Sequence, residues 1–262
     1  MWSQRIFQVA IPTDDSSKNI IRCLDSVNRC LSNEEWYLVV GDNSSTEDTI
    51  RKIKEHLPQL SCKGHFISKF QNLKNSAELK NKVLDLCGIF SDSRPAVLGM
   101  DPDDIMLPDR VKLFDYAKEK LLDIVVGPWQ YSLNEEELLH GIYKEKTINH
   151  CAQDLEFGWW ATLFHARIIP GQGKLMQNDI DAHEDFVLWN ELTHFNLPFK
   201  LSYAPDHIKA VNHHIPRKVP NAAEVYKKVW EKVNDIRLQA KLARESISSH
   251  KEVPNLPEAL PL

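Results

Sequence analysis

Pro95-Ala96-Val97-Leu98-Gly99-Met100-Asp101-Pro102-Asp103-Asp104 is the stretch that decides how this chain is read. It opens as a short apolar run, the pattern of a strand buried on both faces. It closes on Asp101, Asp103 and Asp104, and burying that much charge is expensive. The acids therefore belong at the edge of a sheet, solvated or bound to a cation. In open α/β sheets that edge is where ligands bind, and a hard divalent cation prefers oxygen ligands. An acidic turn before a helix, with Asp104 or Asp109 as the capping residue, accounts for the same residues. Both readings stay open at this point.

The flanking sequence repeats one motif. Arg5 to Thr13 reads as a strand stopped by Pro12-Thr13-Asp14-Asp15. Ser16 or Ser17 can cap the helix that follows, which carries Ile20, Ile21, Leu24, Val27 and Leu31 at 3.6-residue spacing. Trp36 to Val40 is a second strand, ending in Gly41-Asp42-Asn43-Ser44-Ser45-Thr46. Ser45 and Asp48 have capping-box spacing ahead of a helix with Ile50, Ile53 and Leu57. His65 to Phe70 is a weaker strand, and Asn75 or Ser76 starts a helix with Leu79, Val83, Leu84 and Cys87 inward. After the quoted stretch, Pro108 opens a helix with Val111, Phe114 and Ala117 inward. Strand–helix alternation at this pitch predicts right-handed crossovers and a mainly parallel sheet flanked by helices.

Beyond Ile124 to Gly127, a fifth strand, the alternation dissolves. Trp159 to Phe164, 199–204 and 208–213 read as strands, Glu184 to Phe195 as an amphipathic helix, and Asn221 to about Ser246 as a long terminal helix. The expected organisation is a strand–helix half at 1–127, a second half of the same domain at 128–219, and the helix with a loose tail at 220–262. The chain has 262 residues, 42% hydrophobic and 26% charged, enough for a real core. A net charge of -5 argues against a nucleic-acid partner. No apolar run is long enough to span a bilayer, and Met1-Trp2-Ser3-Gln4-Arg5 does not lead into a signal-peptide core. The cysteines, Cys23, Cys30, Cys62, Cys87 and Cys151, are scattered, with no CxxC pair. That usage predicts a reducing, cytoplasmic setting, with contact at the inner face of a membrane left open.

The order of motifs resembles the inverting glycosyltransferases of family 2, with the GT-A fold. Five segments carry the likeness: Val9-Ala10-Ile11-Pro12-Thr13; Val39 through Thr49; Leu98 through Asp104, similar to the family's D-x-D strand; His183-Glu184-Asp185; and a late histidine, His213 or His214. The resemblance implies a Rossmann-like sheet with a C-terminal acceptor-side region. It implies transfer of a sugar, with inversion, from a nucleotide-diphosphate donor (UDP most often in the family) to a glycan, lipid-linked or protein-linked hydroxyl. It also implies Mn2+ or Mg2+ at the diphosphate, where a cation neutralises the leaving charge.

On that resemblance Asp103 is the metal ligand, with His213 favoured over His214 as a second. Asp101 supports the ion or the ribose. Pro12, Thr13, Asp14 and Asp42 line the nucleoside, and Lys80 and Asn81 approach the donor, a solvated helix face being the equal alternative for Lys80. Asp185 is the general base and Glu184 its neighbour, although acids in a first helical turn also suit the macrodipole. Trp159 and Trp160 meet the acceptor, or else are core tryptophans. Where the family has an aromatic and an Asn after Pro-Thr, this chain has Asp14-Asp15, which departs from the base-stacking pattern. The terminal helix, with Lys227, Lys228 and Lys232, packs on the domain, dimerises or touches anionic lipid. The competing function is a non-catalytic nucleotide-sugar or glycan-binding module on the same fold.

Overall fold

The computed structural model describes residues 2, 4–90, 92–132, 144–146, 158–169 and 200–214, together with helical residues 227–228, 230–236, 238–239 and 241–242. Strand β1 (Ile6–Thr13) is followed by helix α1 (Ile20–Cys30), strand β2 (Glu35–Asp42) and helix α2 (Asp48–His56). Next come β3 (Gly64–Lys69), α3 (Ser76–Gly88), β4 (Ala96–Gly99) and the two-residue β5 (Ile105–Met106). A 3-10 turn at Pro108–Val111 leads into α4 (Lys112–Lys120), then β6 (Ile124–Val126), β7 (Trp129–Ser132) and β8 (Lys144–Lys146). The described strands end with β9 (Thr162–His165), β10 (Leu201–Tyr203) and β11 (Val211–His214).

These strands form two sheets. The larger has the order β10-β6-β9-β4-β1-β2-β3, and the smaller β5-β11-β7-β8. In the larger sheet β1 pairs in parallel with β2 and β4, β2 with β3, and β6 with β10. Only β9, inserted between β4 and β6, is antiparallel among the described strands of this sheet. The sheet is thus the mainly parallel, helix-flanked one that the strand–helix alternation predicts.

β1 and β4 are buried along almost their whole length, so polar alternation is absent and most residues add apolar area to one layer or the other, with Gln8 and Thr13 the buried polar residues of β1. Phe7, Val9 and Ile11 are fully buried, as are Leu38, Val97 and Leu98. Each such side chain contributes about 1.5–3 kcal/mol relative to exposure. Helix α1 faces this layer with Ile20, Cys23, Leu24 and Val27 buried. Close approach at the end of β4 depends on Gly99, where an added Cβ would lie 2.5 Å from the Trp159 carbonyl oxygen and 2.8 Å from its ring.

Local signals were met unevenly. Asn75 caps α3 as expected, accepting a hydrogen bond of 3.0 Å from the Glu78 N–H. Neither Ser16 nor Ser17 caps α1, which starts at Ile20 after Asn19 with no side-chain cap. The Ser45–Asp48 capping box does not form either, because Glu47 precedes α2 without a side-chain cap and Asp48 N–H lies 3.5 Å from the hydroxyl of Thr46. Residues Trp159–Ala161 are a 3-10 turn rather than strand, and the strand begins at Thr162. The late helical stretch buries Val233 and Ile236 while Trp230, Leu238 and Leu242 are exposed. Among the described helices none is long and apolar enough to cross a membrane. The helix expected at 184–195, the glycine turn at 171–173 and Cys151 lie outside the described residues.

Two outcomes test this packing. Gly99→Ala forces the backbone of Trp159 outward, and chemical denaturation should register a loss of about 1–3 kcal/mol. Burial pushes the thiols of Cys23 and Cys87 well up from the ordinary value of 9.0, and that of Cys30 to about 11. Below that ordinary value folded and unfolded chains hold these protons alike; above it the unfolded chain releases them first. The thiol contribution to stability should therefore be flat to about pH 9 and fall as pH rises further, read as a falling urea midpoint that Cys87→Ala makes less steep.

Candidate active site at the carboxyl ends of the central strands

Parallel pairing of β1 with β2 and with β4 sets which residues share the sheet edge. Thr13 stands opposite Asp42, and the β1–β4 ladder runs on past Gly99 through the Met100 N–H, which donates to the Ala10 carbonyl at 3.0 Å. The same edge therefore carries Pro12, Thr13, Asp42 and the acidic turn that starts at Asp101.

Asp42 is fully buried. Its Oδ1 accepts from the Thr13 hydroxyl at 2.7 Å and from the Ser44 hydroxyl at 2.5 Å. Its Oδ2 is buried and has no hydrogen-bond partner among the described residues. Ser44 in turn accepts from the Asp15 N–H at 2.7 Å, and Asp15 has a left-handed φ of 46°. Aspartate tolerates that conformation better than most residues. The exposed turn at Asp14 and Asp15 is thus tied to the buried carboxylate through one serine hydroxyl. Asn43 extends the tie to the loop after β3: Leu73 N–H donates to its Oδ1 at 3.2 Å and its Nδ2 donates to the Leu73 carbonyl at 3.4 Å.

The acidic turn closes on itself, with the Asp104 N–H donating to the Asp101 carbonyl at 3.2 Å. Asp101 and Asp103 are half-buried, whereas Asp104 is fully buried. Helix α1 holds the backbone of this turn from one side. Arg22 donates to the Asp103 carbonyl at 3.2 Å and the Cys23 thiol to the Asp101 carbonyl at 3.5 Å. Ser26 accepts from the Met106 N–H at 2.9 Å. Arg110, in the 3-10 turn that follows, is wholly buried beneath the same edge.

Lys80 is only 4% exposed, so it is not on a solvated helix face; its ammonium lies 6.0 Å from the centre of the Trp159 ring. Asn81 is equally buried. Trp159 is 1% exposed and packs against Gly99 and Phe164, the environment of a core tryptophan. Trp160 is partly exposed and stands edge-on to Trp129, so of the pair it has the more accessible ring. The side chain of His213 is outside the described residues, but strand pairing locates its backbone. Val211 and Asn212 pair with Met106 and Ile105, so β11 runs toward the acidic turn as it reaches His213. Glu184 and Asp185 lie outside the described residues. Sequence reasoning missed Ser44, Arg22, Ser26 and Arg110, and of these only Arg110 carried a signal, a charge spaced four residues before the inward Phe114.

The donor chemistry fits a hard divalent cation in part. Two half-exposed carboxylates stand at a strand end, and no group of three or more His, Cys, Asp or Glu suited to a metal occurs among the described residues. Mg2+ and similar ions are commonly held in this way, by one or two carboxylates with the remaining positions filled by water and substrate phosphates.

No curated protein matches the chain. Among solved structures it is similar to S. aureus TarS 1-349, with 17% identity over 88% of this chain and 64% of that one, at a TM-score of 0.62. The complex of TarS 1-349 with UDP-GlcNAc matches with 17% identity over 88% of this chain and 65% of that one, at 0.62. The mannosyltransferase PcManGT from Pyrobaculum calidifontis, in complex with GDP-Man and Mn2+, matches with 13% identity over 95% of this chain and 76% of that one, at 0.55. The chain thus spans about two thirds of the length of TarS 1-349, and at these identities the likeness is one of fold. The model of glycosyl transferase family 2 matches residues 8–181, most of the strand–helix core and its crevice, and the chain belongs to that family.

Proposed function

We propose that this chain transfers a sugar from a nucleotide-diphosphate donor, a UDP-sugar, to a hydroxyl of a glycan, lipid-linked or protein-linked acceptor, with inversion. The observation that carries the reading is the shared edge of β1, β2 and β4, where the Thr13–Asp42–Ser44 cluster and the acidic turn stand side by side. Family membership and the nucleotide-sugar complexes of TarS and PcManGT support it.

In this reading Asp42 receives the nucleoside. Its Oδ1 is already spent on two hydroxyls, and its Oδ2 is left for one donor. A single unpartnered oxygen suits the lone imide N–H of uracil better than the paired N–H groups of guanine. Leaving that oxygen unmatched costs about 1–3 kcal/mol in the empty protein, which a bound base recovers. The nucleoside enters at the exposed Asp14–Asp15 turn, and Pro12 and Thr13 shape the floor. Lys80, held among buried groups, offers a point charge to the phosphates, with Asn81 beside it. Asp101 and Asp103 would hold Mn2+ or Mg2+, with His213 as a further ligand, and the ion supplies neutralisation of the departing diphosphate. Asp185 takes the proton of the attacking hydroxyl, Glu184 orients it, and Trp160 offers an aromatic face to the acceptor, with Trp159 backing the pocket. The Thr13 and Ser44 hydroxyls hold the Asp42 carboxylate in place before the donor arrives. The domain division at 127 and 219 follows the same logic, donor half first and acceptor half second.

Binding and turnover test this separately. Titration calorimetry should give UDP binding that strengthens with Mn2+ and exceeds GDP binding. Asp103→Ala should abolish the Mn2+-dependent part; absence of nucleotide binding at every Mn2+ concentration would refute the reading. Asp185→Asn should leave donor affinity unchanged and lower kcat by about 10²–10⁴-fold. Donor binding with no turnover in the wild-type chain would instead favour a non-catalytic module.

A further inference from the structure

The two oxygens of Asp42 are treated unequally. A hydroxyl has one proton to donate, and each oxygen of a carboxylate has two lone pairs to accept with. Thr13 and Ser44 both donate to Oδ1, at 2.7 Å and 2.5 Å. Oδ2 is buried with the rest of the side chain and accepts nothing among the described residues. One oxygen therefore has both lone pairs filled by neutral hydroxyls, and the other has neither. A buried carboxylate oxygen without a partner is uncommon and costly, and it marks a place where a ligand donor is expected.

The inequality is imposed by the groups around the carboxylate. The Ser44 oxygen accepts from the Asp15 N–H at 2.7 Å and lies 3.4 Å from the Thr49 hydroxyl. With those contacts on its lone-pair side, its proton is directed at Asp42. The main chains are pinned as well. The Thr13 carbonyl accepts from the Asn43 N–H at 2.9 Å, and the Asp42 carbonyl from the Phe70 N–H at 2.7 Å. Turning the carboxylate to present Oδ1 instead would give up both hydroxyl bonds. Thr13, Ser44 and Thr49 are buried, so bulk water does not take their place.

We propose that Thr13 and Ser44 are the specificity-determining residues of the nucleoside site. By filling Oδ1 they reduce Asp42 to a partner for one N–H. Such a partner selects uracil and leaves unmatched the second N–H that guanine carries beside its first. The inference rests on the nucleotide-sugar reading above, and it assigns the choice of base to two hydroxyls rather than to the carboxylate they hold. Without them Asp42 would have acceptor positions on two adjacent oxygens, the arrangement that receives a pair of parallel N–H donors.

The test is titration calorimetry of the full chain with UDP and with GDP at one fixed Mn2+ concentration. Thr13→Val and Ser44→Ala combined in one chain remove both protons, and guanine then gains a bond to a charged acceptor. The ratio of UDP affinity to GDP affinity should fall on the order of tenfold. Thr13→Ser combined with Ser44→Thr keeps both hydroxyls and should keep the wild-type ratio. Residues that only hold the Asp15 turn would weaken UDP and GDP together, so an unchanged ratio in the hydroxyl-free chain overturns the proposal. Where urea unfolding shows that this chain does not fold, Thr13→Val and Ser44→Ala are measured singly, and an unchanged ratio in both has the same meaning. A wild type that binds GDP as tightly as UDP overturns it too. A wild type that binds neither nucleotide overturns the inference together with the nucleotide-sugar reading, and is told apart from failure of the inference alone, in which UDP binds and the ratio does not move.

Discussion

The parallel pairing of β1 with β2 on one side and β4 on the other is the constraint from which the rest follows. It buries three strands almost completely, leaving no place along them for a charge. Polar groups are displaced to the strand ends, and parallel order puts those ends on one side. Thr13 meets Asp42 by register, and the acidic turn begins within two residues of Gly99. A sheet of alternating antiparallel strands would have scattered the same residues over two edges.

Once concentrated, these groups have to be held, and the fold holds them mostly through backbone. Helix α1 reaches the turn with Arg22, Cys23 and Ser26, each bonded to a main-chain atom of the turn. Asp42 is held by hydroxyls, not cations. Asp101 and Asp103 lie half-buried at the edge, with the buried guanidinium of Arg110 beneath.

Much of this was legible from periodicity. The apolar run at Ala96–Leu98 ending in acids, and strand–helix alternation at a regular pitch, predict the sheet and the gathering of polar residues at one strand edge. Lys80 and Arg110 show what periodicity also held. Lys80 lies three, four and seven residues before Val83, Leu84 and Cys87, and Arg110 four and seven before Phe114 and Ala117, so each charge falls on an inward face. Treating charge as a mark of the solvated side hid Arg110 and left Lys80 with a solvated helix face as its equal alternative. Ser44 and Ser26 were not legible, because a hydroxyl's role depends on which backbone or carboxylate lies across a tertiary contact. The Ser45–Asp48 spacing failed for the opposite reason, a local pattern overruled by where the chain enters α2. Asp185 and Glu184 rest on family likeness alone, since helix-end acids have a sufficient electrostatic reason of their own.

The most direct measurement is a crystal structure of the chain soaked with UDP and Mn2+. The account predicts an anomalous manganese peak at the carboxylate of Asp103 and a uracil ring whose imide N–H meets Oδ2 of Asp42. A strand edge empty of both at saturating ligand, or nucleotide bound elsewhere with the carboxylates of the acidic turn away from it, would contradict the account.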